Sequence, residues 1–159
     1  RDRTITGQQS EQITEISPGV QVSVDSARLK AYFDYSLVEV FYAQTSSPRS
    51  SQNSLNSFGT FEAVENWAFV DFGGAISRQA VSAFGSQAVN NVSLNSNQSE
   101  VSSYSLAPYV RGRLGETASY EARYGRAVTS SDAALVSDVT TDDGSFKVKG
   151  GSAFRHLGW

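Results

Sequence analysis

A period-two alternation of apolar and polar residues runs through most of this chain and constrains its fold more than any other feature. Between Tyr104 and Val110 every second residue is Tyr, Leu, Pro or Val, and the residues between them are Ser, Ala and Tyr. Successive side chains of a β-strand point to opposite faces of the sheet, so such a segment predicts a strand with two different faces. Apolar residues at helical spacing are hard to find, so we predict an all-β fold.

The alternation predicts seven strands, separated by connections of two kinds. The strands cover about 13–25, 54–64, 66–78, 101–112, 118–126 and 145–149, with one more that begins at 29 and ends before the polar stretch at 45. Short turns at about 25–28, 65–66 and 114–117 alternate with long polar stretches at about 45–53, 82–99 and 129–144. This order predicts an antiparallel, up-and-down sheet.

Alternating short and long connections are typical of a bacterial outer-membrane β-barrel, which has tight periplasmic turns and longer extracellular loops. Its strands turn one face to lipid and the other to a polar lumen. Charged residues make up only 18 % of the 159 residues, and no apolar run exceeds four residues, so no helical span is expected. We therefore predict an antiparallel up-and-down transmembrane β-barrel at residues 13–159, with residues 1–12 as an extracellular loop or N-terminal extension.

The predicted number of strands bears on how the barrel closes. Bacterial single-chain barrels have an even number of strands, whereas seven are predicted here. We therefore expect this sequence to supply part of a larger barrel, or to lack at least one N-terminal strand. The alternative is a soluble β-sandwich or adhesin-like surface module that binds through its Ser-rich loops. In that fold the stripes at 104–110 and 118–124 would pack against a second sheet.

Charged residues in the predicted strands fall opposite the apolar stripes and are the candidate lumen-lining residues. They are Asp34, Asp71, Arg111, Glu121, Arg123, Lys147 and Lys149. Arg111, Arg123 and the two lysines are expected on neighbouring strands, with Glu121 among them. Such a ladder could line a pore or bind an anionic glycan. The other interpretation is that cross-strand ion pairs fill a narrow barrel, as is usual in small barrels.

Aromatic residues are candidates for the belts that mark the two surfaces of a membrane barrel. The candidates are Trp67, Trp159, Tyr104, Tyr120 and Tyr124. Trp67 follows a short turn and Trp159 ends the seventh predicted strand, so both are expected at the periplasmic rim. In the alternative sandwich the two tryptophans would be core residues.

Three residues do not fit uniform strands. Glu39 falls on the apolar face unless a bulge near 36–37 reverses the faces, or unless it lies at the outer rim. Pro18 and Pro108 lie inside predicted strands, where proline cannot donate a ladder hydrogen bond. Each proline therefore requires a bulge or a strand end.

Other chemistry is weakly represented in the sequence. The absence of Cys excludes a disulfide framework, a zinc ribbon and thiol chemistry, and the net charge of −3 argues against a nucleic-acid partner. The single histidine, His156, has no Gly-x-Ser-x-Gly motif to accompany it. Asp142 and Asp143 lie in a predicted loop and are too few to ligate Ca²⁺. We therefore predict no enzyme activity, no metal site and no cofactor.

Several separate blocks, in the same order along the chain, resemble one family. The blocks are Thr14–Val20, Val64–Asp71, Ile76–Gly85, Tyr104–Gly115 and Tyr120–Tyr124. Through them the chain from about 11 to 159 resembles the PEP-CTERM-system-associated outer-membrane proteins. These are predicted β-barrels of Gram-negative bacteria, encoded near exopolysaccharide and protein-sorting loci.

The resemblance implies a location in the bacterial outer membrane, in contact with the lipid bilayer and lipopolysaccharide. It implies a passive conduit or scaffold in exopolysaccharide export or envelope organisation, with exopolysaccharide or secretion-system proteins as partners. It supplies no catalytic residues. Family members are longer and begin with a signal peptide and an earlier strand, which agrees with the odd strand count.

Overall fold

The computed structural model describes residues 13–42, 50–80, 98–133 and 137–151, and these residues form a single antiparallel sheet. The strands are β1 (Ile13–Ile16), β2 (Gly19–Asp25), β3 (Leu29–Tyr42), β4 (Ser50–Val64), β5 (Ala68–Ala80), β6 (Gln98–Leu114), β7 (Ala118–Ser131) and β8 (Val139–Gly150). From β3 to β8 each strand pairs with the next along the chain, and both β1 and β2 pair with β3. The predicted all-β, up-and-down arrangement is therefore confirmed. In the described ranges no helix has the length and apolar content needed to cross a membrane.

The first predicted strand is divided in two, so the sheet has eight strands and the predicted number of seven was wrong. Proline at position 18 has no backbone N–H to donate, and regular pairing stops at Ser17 and Pro18. Both pieces keep one register with β3, because Ile16 pairs with Glu39 and Gly19 pairs with Ser36. The Pro18 carbonyl still accepts a hydrogen bond from the Leu37 amide at 2.9 Å.

Pro108 and Glu39, the other two residues that do not fit uniform strands, are accommodated without a bulge. Pairing between β6 and β7 is interrupted at Ala107 and Pro108 and resumes in the same register at Tyr109, so the predicted bulge or strand end at Pro108 was wrong. Of the two alternatives for Glu39, the bulge near 36–37 was wrong, because β3 pairs with β4 in one register from Leu29 to Val40. Glu39 therefore stays on the apolar face, close to the end of the sheet that carries the long connections.

The short turns lie where the sequence predicts them, but several strands extend farther into the polar stretches. β4 begins at Ser50, β7 continues to Ser131 and β8 begins at Val139, so Asp142 and Asp143 lie in a strand and the predicted loop at 129–144 was wrong in its extent. The physical reason is that ladder hydrogen bonds come from the backbone. Polar residues on both faces hide the alternation without ending the strand.

Backbone conformation explains two of the tight turns. Asn66 has a φ of 55° between β4 and β5, and Gly115 has a φ of 59° between β6 and β7. Asn and Gly are the residues that adopt this left-handed conformation at least cost. The turns are closed by hydrogen bonds from the Trp67 amide to the Val64 carbonyl and from the Thr117 amide to the Leu114 carbonyl.

The pairing register assembles the predicted apolar stripes on one face of the sheet, which we call the apolar face. Its members include Val20, Val22, Phe33, Leu55, Phe61, Val70, Phe72, Ile76, Tyr104, Leu106, Val110, Tyr120, Tyr124, Phe146 and Val148. Large side chains on this face are exposed, among them Val20 at 57 %, Leu106 at 53 % and Phe146 at 69 %. Within the described residues all eight strands belong to one sheet, so no second sheet covers these side chains.

The opposite face, which we call the polar face, is the more enclosed of the two. The buried residues Val40, Gln52, Phe69 and Ser99 all belong to it, whereas Ala118 is the buried residue of the apolar face. The sheet is open in the described part of the chain, with β1 and β2 along one edge and β8 along the other. Among residues 13–42, 50–80, 98–133 and 137–151 the strands are thus present without closure into a barrel.

Three glycines on the apolar face each lie directly opposite an aromatic residue of the neighbouring strand. The pairs are Gly59 with Phe72, Gly74 with Tyr104, and Gly112 with Tyr120. A methyl group built on any of these glycines would meet the opposite ring. An aromatic ring that covers a strand glycine shields the backbone and holds the register of the pair.

We expect Gly59→Ala to destabilise the sheet by about 1–3 kcal/mol, because overpacking forces side chains and backbone to shift. Its added methyl carbon would lie 2.6 Å from Phe72 Cζ and 2.7 Å from the Lys30 carbonyl oxygen. Gly144→Ala is the matched control, since open space surrounds that position in another strand on the same face. Urea denaturation of both variants measures the difference. Equal free energies of unfolding would contradict the close contact at Gly59.

Candidate functional site

All seven candidate lumen-lining residues lie on the polar face. Asp34 is on β3, Asp71 on β5, Arg111 on β6, Glu121 and Arg123 on β7, and Lys147 and Lys149 on β8. The register places six of them on the four adjacent strands β5 to β8. Their shared face follows from the period of two together with the register, and their role as lumen-lining residues remains a prediction.

An ion pair between Asp71 and Arg123 forms the centre of the polar face. Arg123 Nη2 lies 2.6 Å from Asp71 Oδ2, so the side chains reach across the intervening strand β6. Thr60 Oγ1 donates a 2.7 Å hydrogen bond to the other carboxylate oxygen, Asp71 Oδ1. The two side chains are 30 % and 33 % exposed. Three strands, β4, β5 and β7, are therefore connected through one carboxylate.

Two aromatic residues that the sequence analysis did not select support this ion pair. Phe69 and Tyr109 stack with their ring centroids 5.1 Å apart. The Arg111 guanidinium carbon lies 4.4 Å from the centroid of the Phe69 ring, and that of Arg123 lies 5.0 Å from the centroid of the Tyr109 ring. Cation–π contacts of this kind favour Arg over Lys. The sequence signal that could have found Tyr109 is an aromatic residue at a polar position of the alternation, two residues before Arg111.

The end of the polar face next to the short turns carries two adjacent rows of charged and polar residues. In one row Arg111 pairs with Glu121, which pairs with Lys147. Lys147 Nζ lies 3.6 Å from Glu121 Oε1, and the lysine side chain is largely exposed. The next row is Arg113, Ser119 and Lys149. Both rows line a concave region of about 480 Å³.

Asp34 belongs to a separate group near the other edge of the polar face. The Tyr32 hydroxyl donates a 3.0 Å hydrogen bond to Asp34 Oδ2 and accepts one of 3.1 Å from Gln21 Nε2. The Tyr32 ring stacks on Phe58 with a centroid distance of 5.3 Å. The predicted charged residues therefore form two groups: Asp34 with its tyrosine, and the other six.

Paired charges and excess cations occupy different parts of the polar face. Around Asp71 and Arg123 the charges are paired and covered by aromatic rings, so that region is filled. The four cations near the short turns face one carboxylate, Glu121, in their own two rows. Within the described residues no three acidic, His or Cys side chains are placed to hold one metal ion.

The predicted interface aromatics fall at two levels of the apolar face. Trp67 and Tyr120 meet beside the short turns, where Trp67 Nε1 donates a 3.0 Å hydrogen bond to the Tyr120 hydroxyl. Tyr104 and Tyr124 lie farther along their strands, each next to polar positions of the same face. Tyr124 donates a 2.7 Å hydrogen bond to Asp142 Oδ1. Trp159 lies outside the described residues.

On β4 to β8 the apolar face ends along a border beyond which its positions are polar or charged, with Val128 on β7 as an exception. On β6 the border lies between Tyr104 and Ser102, and on β7 it lies between Tyr124 and Arg126. We call the part between this border and the short turns the apolar band. Polar contacts begin directly beyond it, as where Asn53 Nδ2 donates a 3.2 Å hydrogen bond to Glu100 Oε2.

The border crosses the strands obliquely. Leu55 is the last apolar residue of the band on β4. It pairs with Ile76 of β5, which pairs with Ser102 of β6, so the three residues lie at one level of the sheet. Phe146 is the last apolar residue of the band on β8. It pairs with Ala122 of β7, which pairs with Val110 of β6, so these three residues also lie at one level. The border thus shifts from the level of residue 102 to that of residue 110 over the four steps from β4 to β8, an average of two residues per strand. The steps are unequal, since Ile76 ends the band on β5 at the same level as Leu55 on β4.

Comparisons of the chain with protein-family models, with curated proteins and with solved structures give no significant match. The resemblance described above therefore remains a prediction.

Beyond the band, Asp132 connects the end of β7 to β6 through hydrogen bonds. Its Oδ1 accepts hydrogen bonds from Ser99 Oγ and, at 2.8 Å, from the Glu100 amide. The hydrogen bond from Ser99 is the main cause that lowers the pKa of Asp132 below its usual 3.8; partial desolvation opposes it and the Glu100 amide adds to it. Because the folded-state pKa is lowered, the stabilisation is complete above the unfolded-state value and is lost as the pH falls through the folded-state pKa.

We expect Ser99→Ala to raise the pKa of Asp132 toward its usual value, since the largest stabilising contact of the carboxylate is removed. The measurement is the titration of the Asp132 carboxyl by NMR in the folded chain. Asp25, which is exposed and lies at the other end of the sheet, is the internal control. An unchanged Asp132 titration in the variant would contradict the assigned cause.

We also expect Asp71→Asn to cost about 1–2 kcal/mol of stability, because it leaves the half-buried Arg123 without its carboxylate. Asp25→Asn removes a second cross-strand ion pair, in which Asp25 Oδ1 lies 3.1 Å from Lys30 Nζ. The side chains of Asp25 and Lys30 are 79 % and 73 % exposed. Exposed pairs contribute little, so this control should change stability by no more than about 0.5 kcal/mol. A double-mutant cycle of Asp71→Asn with Arg123→Gln measures the coupling free energy between the two side chains. A coupling free energy near zero would contradict a stabilising ion pair at the centre of the polar face.

Proposed function

We propose that this chain is part of an outer-membrane β-barrel that acts passively, as a conduit or scaffold, with the apolar face toward lipid and the polar face toward the lumen. The observation that carries the proposal is the apolar band: exposed apolar side chains on adjacent strands, bounded by an oblique border. A contiguous exposed apolar surface of this kind is typical of a membrane or partner contact.

The angle of the border supports a membrane over a protein partner. Two residues correspond to about 6.6 Å along a strand, and neighbouring strands are about 4.8 Å apart. A planar apolar layer cutting the strands at this average stagger corresponds to a strand tilt of about 54°, somewhat above the 35–45° of outer-membrane barrels. A bilayer would impose a border that runs obliquely in one direction across tilted strands, as this one does from β4 to β8.

The chemistry of the two faces supports the same orientation. Buried side chains and the Asp71–Arg123 pair lie on the polar face, as expected for the enclosed side of a curved sheet. Trp67 and Tyr120 at one limit of the band, and Tyr104 and Tyr124 at the other, correspond to the two aromatic girdles of such barrels. The apolar layer between girdles is about 25 Å tall, which about 11 strand residues span at a tilt of 45°. The band reaches this length on β6, from Tyr104 to Leu114, and is shorter on β7 and β8.

The biological setting is proposed from the family resemblance. Its members are associated with exopolysaccharide and protein-sorting loci, so we propose a role in exopolysaccharide export or envelope organisation. Lipid, lipopolysaccharide, exopolysaccharide and secretion-system proteins are the corresponding partners. The filled centre of the polar face favours a scaffold or a narrow conduit over a wide pore.

A pair of arginine substitutions on β2 tests the orientation. Val22 and Ser23 are adjacent, both are exposed, and they lie on the apolar and polar faces respectively. We expect Val22→Arg to reduce the free energy of folding into a bilayer by about 2–4 kcal/mol, because arginine near the membrane midplane must be desolvated. Ser23→Arg should change it by less than about 0.5 kcal/mol.

The measurement is folding into lipid vesicles of the full chain, followed by protection from added protease and by gel mobility before and after heating. Equal effects of the two substitutions would reject the orientation. A monodisperse folded chain in plain buffer, with neither detergent nor lipid, would reject the membrane location and favour the soluble surface module.

A further inference from the structure

We propose that Arg113, Ser119 and Lys149 form a binding site for a phosphate group at the short-turn end of the polar face. The inference goes beyond the proposed conduit or scaffold and does not require it, because the site is defined by cross-strand geometry alone. Arg113 pairs directly with Ser119, and Ser119 pairs directly with Lys149. The three side chains therefore point to the same side from three adjacent strands.

The spacing of these residues suits a small tetrahedral anion. Neighbouring strands lie about 4.8 Å apart, so the backbones of the two cations are about 10 Å apart with the serine between them. Long Arg and Lys side chains can both reach an anion held above the Ser119 hydroxyl. Arginine supplies a planar fork for phosphate oxygens and lysine a point charge, and both are common phosphate ligands.

Two concave regions of the surface meet at this row. The region of about 480 Å³ continues toward Arg111 and Lys147, and a second region of about 410 Å³ continues toward the turn at Glu116. Arg113, Ser119 and Lys149 line both regions. A ligand larger than phosphate alone could therefore place its phosphate at the row and extend to either side.

The charge balance favours an anion at the row. Arg111 and Lys147, in the adjacent row, raise the number of cations to four. Two carboxylates are nearby: Glu121 among the cations, and Glu116 in the turn that borders the second concave region. Lys147 approaches Glu121, and Arg111 lies over the Phe69 ring. Within the described ranges neither Arg113 nor Lys149 has a carboxylate within ion-pair distance. This local excess of positive charge occurs in a chain whose net charge is −3.

A phosphate group fits this balance better than a carboxylate does. A phosphate monoester carries a charge of about −1.5 to −2 at neutral pH and has three strong acceptor oxygens. Two cations and one hydroxyl match that charge and that number of acceptors. A carboxylate with one charge would be satisfied by Arg113 alone and would leave Lys149 without a role.

Binding of inorganic phosphate to the folded full chain, measured by titration at constant ionic strength, tests the site. We expect saturable binding, weakened about tenfold or more by Arg113→Gln and by Lys149→Gln, because each removes a charge-assisted hydrogen bond. Lys30→Gln is the control, since Lys30 is an exposed cation of the same face on β3 and should leave the affinity unchanged.

Glu121→Gln provides a measurement of opposite sign. Removing this carboxylate frees Lys147 and lowers the negative charge beside the row, so phosphate should bind several-fold more tightly. A loss of folding could not produce this result. Absence of saturable binding, equal losses in Lys30→Gln and Lys149→Gln, or an unchanged affinity in Glu121→Gln would each overturn the proposal.

Two further titrations identify the source of the phosphate group. Glucose 1-phosphate represents a soluble sugar phosphate, and phosphatidic acid in neutral detergent micelles represents a lipid headgroup. A response that depends on Arg113 and Lys149 in either titration supports the site and assigns its ligand to that source. A response to neither compound would overturn the assignment of the site to a phosphate ester.

Discussion

The pairing register between neighbouring strands decides which side chains meet on each face of this sheet. A shift of one residue in any ladder would exchange the two faces of every strand beyond it. The pairings from β1 to β8 keep the faces distinct, and the one register shift in the described ladders lies between Glu62 and Val64, just before a turn. The proline at 18 interrupts pairing without changing the register. The apolar band and the charged rows both depend on this continuity.

The same register has consequences for the surroundings that the sheet requires. An exposed apolar face is unfavourable in water at roughly 25 cal/mol per Å² and is stable against acyl chains or another apolar surface. Backbone groups along β2 and β8 lack strand partners on their outer sides in the described residues, and lipid would not hydrogen-bond them. The proposed membrane location therefore requires both edges to be paired, with each other or with other strands.

The polar face is divided into regions with different roles. At its centre, Asp71, Arg123, Phe69 and Tyr109 form a closed set of ionic and stacking contacts, which stabilises the sheet and leaves little space. Near the short turns, cations outnumber carboxylates and line open concave regions. The first region fits the idea of a filled barrel, and the second fits a binding surface. From the sequence, a pore-lining or glycan-binding ladder and a filled barrel were alternatives, and both remain predictions. The structure places the paired charges and the excess cations at different levels of the same face.

Period-two alternation alone was enough to predict the all-β class, the short turns and the division of residues such as Leu106 and Asp71 between two faces, because side-chain direction in a strand is a local property. The full length of β4, β7 and β8 could not be predicted, since backbone hydrogen bonds continue the strands where both faces are polar. The partners of individual side chains could not be predicted either. Registers between strands bring Arg123 to Asp71 across β6 and place Arg113, Ser119 and Lys149 in one row. Such registers are set by tertiary pairing, which no single segment encodes.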